Sequence, residues 1–361
     1  MRTILAAALA CLCLSGPAAA ASLDEVYDFT VERVTDRVHR IYRPDEGRVQ
    51  PEGNVTVVEQ ADGLVVIDTG GTPSAGERVV ALIRTLSAKP VRHLVLTHYH
   101  GDHNLGAPAF LKAWPDLTLI STAKTRENML GEPMAYIRDY GKGIGALAPQ
   151  FAKLAARDDL PEEMRRNWAR AARDAEALAV AYEGVTATPA LLTFEDRLVL
   201  HDAEAPVELL FLGRAHTDGD AVAWLPKQRV LATGDIVVAP FPFAFNAFLG
   251  EWMGVLHRLR GFDFAYLVPG HGMVQRDKSY LDRLHSLVGA LRDQVGPPAR
   301  EGLPLAEVRK RVDLERQGAL FTGDSPWNKR FFRDWFIGPG TQAAWQEARG
   351  EPIVPGAKIQ P

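Results

Sequence analysis

Cysteine is almost missing from this 361-residue chain: Cys11 and Cys13 are the only two, and both lie near the N-terminus. Beyond them no disulfide, catalytic thiol or thiolate metal ligand can form, so any metal site must be built from His, Asp and Glu. A positive excess is missing too. Lys and Arg number 41 against 45 Asp and Glu, a formal charge of −4. Nucleic-acid binders normally carry a basic face, so the expected partner is a small-molecule substrate and not a nucleic acid. The one long apolar stretch, at the N-terminus, is too short to span a bilayer, and no stable membrane insertion of the mature chain is expected.

That stretch, MRTILAAALACLCLSGPAAAAS, has Arg2, an apolar core to Leu14, a Gly16-Pro17 break and a run of alanines. This is the anatomy of a secretory signal peptide over residues 1–21, cut after Ala20 or Ala21, and it predicts a periplasmic or secreted protein. A lipoprotein variant would acylate Cys11, with very little apolar sequence before it.

The remainder is 47% hydrophobic and 24% charged by whole-chain composition, as in globular proteins. Its length fits one large α/β domain with insertions. Residues 38–44, 54–60, 63–71 and 91–97 are Val- and Ile-rich and broken by Gly, Pro and Asp-Gly, as strands are. Between the last two, residues 74–88 show helical periodicity, with Val79, Val80, Leu82, Ile83 and Leu86 on one side. The order β-β-α-β is that of a layered α/β domain. About residues 124–190, charged and alanine-rich, are read as a helical insertion, with Asp159 and Pro161 as start signals. Strands resume over 196–202, 207–213, 221–226 and 229–235, a helix covers 251–262, and 264–272 is again extended. The expected organisation is a domain over residues 22–290 and a helical C-terminal extension over 291–361, with Ser325 capping a helix that starts at Pro326.

The stretch HLVLTHYHGDHNLGA (93–107) places His98, His100, Asp102 and His103 where a strand ends. His98 and His100 alternate in extended chain and can point the same way. Four such ligands cannot easily reach one tetrahedral ion, but they can serve two neighbours. His216 follows the strand of VELLFLGRAHTDGD, Asp235 ends that of VLATGD, and His271 follows YLVPG. In α/β sheets, sites gather at the carboxyl ends of strands. His98, His100, Asp102, His103, His216, Asp235 and His271 are therefore expected on one rim. Plainer readings exist: a polar loop capping a helix at 98–103, a cap at Asp235, a loop histidine at 271. They require four spaced motifs to coincide. His39, His93, His201, His257 and His285 are given no metal role, and Asp220 is read as a structural carboxylate at a strand start.

T-H-x-H-x-D-H, A-H-T-x-G-D, T-G-D and P-G-H-G, in this order, resemble the metallo-β-lactamase-fold superfamily over roughly residues 38–275, the insertion excluded. The resemblance implies a four-layer αβ/βα sandwich with a two-metal groove at its edge. It implies that His98, His100 and His216 hold one metal, that Asp102, His103 and His271 hold a second, and that Asp235 bridges them. Asp68, in I-D-T-G, would orient ligands rather than bind metal. Asp235 in place of cysteine or serine, and His103 in place of arginine, resemble the glyoxalase II and lactonase branch more than the β-lactamases. Two Zn²⁺ are expected, and iron or manganese suit the same donors. Such a pair shares a hydroxide at neutral pH, and Asp102 and Asp235 are the expected catalytic carboxylates, Asp102 orienting that hydroxide. The expected reaction is hydrolysis of a lactam, lactone, ester or thioester. A one-iron sulfur dioxygenase of the same fold and a non-enzymatic metal-binding accessory protein remain as alternatives. Export and acidity argue against a nuclease.

In the segment PFPFAFNAFLGEW (240–252), Phe241, Phe243 and Phe245 alternate, while Phe245, Phe248 and Trp252 have helical spacing. Core packing is the commoner use of such aromatics, although the segment follows Asp235 and can line the groove.

Overall fold

The computed structural model describes residues 21–44 and 47–357. The expected signal peptide, with both cysteines, lies outside them except for Ala21. Among the described residues no helix is long and apolar enough to cross a membrane.

Seven strands form the first sheet in sequence order: β1 Thr30–Arg33, β2 Val38–Tyr42, β3 Val55–Glu59, β4 Leu64–Ile67, β5 Val91–Val95, β6 Thr118–Thr122 and β7 Leu192–Phe194. Pairing is antiparallel from β1 to β4 and parallel from β4 to β7. The second sheet runs β12-β11-β10-β9-β8, built from β8 Arg197–Leu200, β9 Val207–Phe211, β10 Ala221–Leu225, β11 Val230–Ala232 and β12 Tyr266–Val268. Here only β11 and β12 are parallel.

Alternation along the strands sets the layers. Val65, Ile67 and Val95 of the first sheet share one core with Leu209, Ala221, Ala223, Leu225, Val230, Ala232 and Val268 of the second. The intervening Leu64, Val66, Leu94, Val222, Leu231 and Leu267 face the other way and join the helix-covered core. The two sheets therefore lie between two helical layers, the expected four-layer sandwich. β1, β6 and β7 were not anticipated; β1 and β7 are the edges of the first sheet.

Local signals explain the helix that covers β4 and β5. Thr72 Oγ1 accepts from Ala75 N at 3.1 Å, and Pro73 opens the helix Pro73–Leu86. Its buried Val79, Val80 and Ile83 are those the periodicity indicates. Where this helix meets the chain just after the first histidine motif, the closest approach is between glycines. A Cβ on Gly76 would stand 2.4 Å from the carbonyl oxygen of Gly106, and one on Gly106 would stand 2.3 Å from that of Thr69.

The region read as an insertion is helical over Ala123–Leu130, Ile137–Ala146, Ala148–Ala155 and Glu162–Ala181, the last starting after Pro161. In the tail, Ser325 Oγ accepts from Asn328 N at 3.0 Å, capping the helix Pro326–Phe332. The helix Ser279–Arg300 runs across the expected boundary at 290. Aromatic side chains of the helix Pro326–Phe332 pack within the chain: Trp327 and Phe331 meet Trp168 of the insertion, with ring centroids 4.8 and 6.2 Å away.

The glycine contact yields a paired prediction. Gly76→Ala should lower the unfolding free energy by about 1–3 kcal/mol through overpacking. Gly143→Ala, in a helix where an added Cβ meets nothing within 4 Å, should raise it by about 0.5–1 kcal/mol. Urea denaturation monitored by circular dichroism measures both, and equal effects would discount the close approach.

Candidate metal centre

Each of the seven residues singled out by the sequence follows a strand. His98, His100, Asp102 and His103 come after β5, His216 after β9, Asp235 after β11 and His271 after β12. The fold brings all seven together in two groups. The ligand atoms of His98, His100, His216 and Asp235 lie within 4.8 Å of one another, and so do those of Asp102, His103 and His271. The five other histidines belong to neither group.

In the first group, His100 Nδ1 lies 3.2 Å from His98 Nε2 and 2.9 Å from His216 Nε2. In the second, His103 Nε2 lies 3.1 Å from His271 Nε2, which is 3.0 Å from Asp102 Oδ2. Asp235 stands between them with its carboxylate divided. Oδ1 is 3.1 Å from His103 Nε2 and 3.5 Å from His271 Nε2, whereas Oδ2 is 3.5 Å from His216 Nε2 and 4.0 Å from His98 Nε2. Tetrahedral zinc with bonds of about 2.0–2.1 Å separates neighbouring donors by about 3.3 Å. The donor set and its spacing fit two small divalent ions.

A chain of hydrogen bonds fixes the imidazole faces. Asp68 accepts from Thr97 N and Thr97 Oγ1, both at 2.8 Å, and lies 2.8 Å from His103 Nδ1. Thr97 Oγ1 is also 3.0 Å from His98 Nδ1. With the hydroxyl proton given to Asp68, His98 Nδ1–H donates to Thr97, and His103 Nδ1–H donates to Asp68. Both Nε2 atoms then face the cluster. His216 Nδ1, 3.4 Å from the Phe243 carbonyl, is turned in the same sense. Asp68 has the orienting position expected of it, at a left-handed φ of 65°. Asp220 is structural, accepting from Thr217 N and Oγ1 at 2.8 and 2.6 Å.

Burial holds His98 well below the usual imidazole range, pushes His100 down to about 3 and lowers His216. These three are neutral imidazoles, the form that binds metal. Burial also opposes charge on His103, but Asp235, Asp102 and Asp68 outweigh it and raise His103 well above that range. Burial works against the Asp235 carboxylate as well, and His271 and His103 overcome it to hold Asp235 well below its ordinary value.

His100, Asp102, His216 and Asp235 floor an open basin walled by Tyr99, Tyr136, Tyr140, Tyr182, Phe243, Phe245 and Trp335. The aromatic segment after Asp235 thus divides its duties. Phe243 and Phe245 face the basin, while Phe248 and Trp252 are buried, the Trp252 indole donating to Ile236 O at 3.0 Å. Sequence reasoning missed Thr97, although it stands inside the first motif, and Asn104, whose amide donates at 2.7 Å to the carbonyls of Tyr99 and His100. It also left Trp335 out of the groove, and no local signal separates that residue from a core aromatic.

The profile of the metallo-beta-lactamase superfamily matches residues 50–271, more than half of the chain. The chain belongs to the metallo-beta-lactamase superfamily. Among superfamily members, the linear primary-alkylsulfatase of Pseudomonas sp. (strain ATCC 19151) is 24% identical over 288 residues, 74% of this chain and 51% of that protein. The chain therefore spans about half the length of that relative. An atrochrysone carboxyl ACP thioesterase of Aspergillus terreus (strain NIH 2624 / FGSC A1156) is 33% identical over 90 residues, 24% of this chain and 28% of the thioesterase. Among solved structures, a stereoselective inverting sec-alkylsulfatase from Pseudomonas sp. superposes with TM-score 0.59 and 18% identity, covering 95% of this chain and 55% of that one. A metallo-beta-lactamase from Pontibacter korlensis gives 0.51 and 23%, covering 72% and 99%. These superpositions support the fold.

Asp68 carries the prediction of this site. Asp68→Ala should leave the protein folded and weaken divalent-metal affinity about 10–100-fold. Competition with a chromophoric chelator measures the change, and unaltered affinity would remove Asp68 from the orienting role.

Proposed function

We propose that the protein is a metal-dependent hydrolase that cleaves a carbonyl-type bond (ester, lactone, thioester or lactam) in a small molecule with an apolar body. The divided carboxylate of Asp235 is the observation that carries the metal assignment. His98, His100 and His216 would hold one ion and Asp102, His103 and His271 the other, with Asp235 touching both; zinc suits this nitrogen and oxygen set. Bound there, divalent ions lower the pKa of water and polarise the scissile group, supplying nucleophile and electrophile without serine or cysteine.

The chain's own residues do the rest. Asp68 and Thr97 hold His103 and His98 with one nitrogen inward. Asp102, at the edge of the basin, is the carboxylate placed to orient the attacking water. Tyr99, Phe243, Phe245 and Trp335 offer apolar faces to a substrate. Among the described residues lining this basin there is no Lys or Arg, which favours a substrate whose scissile group is uncharged.

A second reading, hydrolysis of an alkyl sulfate ester, draws on the likeness to the alkylsulfatase over 74% of the chain. Export to the periplasm or medium belongs to the proposal as well and rests on the N-terminal sequence pattern.

One experiment tests these readings together. Metal content is measured on the purified protein, and turnover is followed on lactones, thioesters, carboxyl esters, nitrocefin and a linear alkyl sulfate. Two zinc ions per chain, with turnover of a carbonyl substrate that a chelator abolishes, is the expected result. One iron per chain would favour the dioxygenase alternative, and turnover confined to the alkyl sulfate would favour the second reading. Asp235→Ala should reduce kcat by at least about 100-fold, since it removes a contact to both ions, and should lower the metal content. Full metal occupancy at wild-type rate would refute the bridging role.

A further inference from the structure

The helical insertion brings three tyrosines to the groove, and the hydroxyl of one of them, Tyr136, meets the first histidine motif. Gly101 lies between His100 and Asp102, and its backbone N–H donates to Tyr136 Oη at 3.0 Å. Tyr136 sits between the short turn Glu132–Met134 and the helix Ile137–Ala146. It lines the same basin as His100, Asp102, His216 and Asp235. The approach depends on glycine, because a Cβ at position 101 would come within 2.9 Å of the phenol oxygen.

A phenol both accepts and donates. Gly101 uses its acceptor side. Among the described residues no protein group accepts its proton. The ring is held from behind by Tyr140, 5.8 Å away between centroids, which in turn meets Tyr182 at 4.9 Å. The Tyr140 hydroxyl is itself tied to Gln50. Tyr136 is 42% exposed, so its hydroxyl is positioned by one ring contact and by the Gly101 hydrogen bond, which fix the donor while leaving it open to the basin.

We propose that Tyr136 is a catalytic residue whose hydroxyl, held by the Gly101 N–H, donates a hydrogen bond to the substrate carbonyl oxygen as negative charge develops on it. This rests on the hydrolase reading above and assigns the insertion a direct part in the chemistry. A donor of this kind stabilises the tetrahedral oxyanion more than the ground-state carbonyl, and so acts on kcat.

Tyr136→Phe removes the hydroxyl and keeps the ring. On the carbonyl substrate that wild type turns over, kcat should fall about 100-fold with little change in KM, as when one oxyanion donor is deleted. Metal content should be unchanged. Affinity of the metal-loaded protein for a methylphosphonate monoester, a stable tetrahedral anion, should weaken about tenfold or more by calorimetry. A kcat within about threefold of wild type, or unaltered phosphonate affinity, would overturn the assignment (a single lost donor is worth ~100-fold). Loss of rate together with loss of metal would also overturn it, because Tyr136 would then be holding the 100–102 turn. Wild type inert on every carbonyl substrate strikes the hydrolase reading instead, whereas active wild type with an unimpaired Tyr136→Phe variant strikes this inference alone.

Discussion

The site depends on one carboxylate shared between two sets of histidines. Asp235 is 3% exposed, and an ion so buried is destabilising unless it is well partnered. Its two oxygens face different histidine sets, and Oδ1, buried without a hydrogen-bond partner among the described residues, is left with the free lone pairs that a metal ion would take up. The chain around it is shaped to allow this. Gly234 adopts a left-handed φ of 50° at the turn after β11. Gly270, next to His271, has no side chain because a Cβ there would overlap Asp235 Oδ1 at 1.9 Å. Gly234 of T-G-D and Gly270 of P-G-H-G shape the chain around one carboxylate.

The same cluster joins the two sheets. The four residues between 98 and 103 follow a strand of the first sheet, while His216, Asp235 and His271 follow strands of the second. Backbone hydrogen bonds hold the two rims in register: Ala221 N donates to Thr97 O at 2.7 Å, and Asn54 N donates to Gly270 O at 2.7 Å. The Asn54 amide reaches the carbonyls of Pro269 and Gly272, each at 2.9 Å. Protein hydrogen bonds therefore already draw the two ligand groups together, and an ion entering would find its donors ordered.

Much of this was legible in the sequence, for physical reasons. Val- and Ile-rich runs mark the central strands because those strands are covered on both faces. The ligand residues stand out because His and Asp are unusual directly after such runs. β7 escaped notice because three residues, LTF, are too few to show a period, and β1 because TVER is half-polar. The expected domain boundary at 290 falls inside the helix Ser279–Arg300 because the residues before 290 carry the same helical pattern as those after it. Tyr136 and Trp335 were hidden for another reason. An aromatic at helical spacing looks the same whether its ring meets a core or a cavity, and only tertiary placement separates the two.

Trp335 lies 64 residues beyond the end of the segment matched to the superfamily at residue 271, yet its ring stands 5.1 Å from that of Phe243, which in turn stands 5.3 Å from His271. Ligand set and groove wall are thus written in separate stretches of the chain. Selection can rework the tail, and with it the shape presented to a guest molecule, without touching a histidine. Two proteins with identical ligand motifs can in this way diverge in what they admit, and comparison of the matched segment alone would not register the difference.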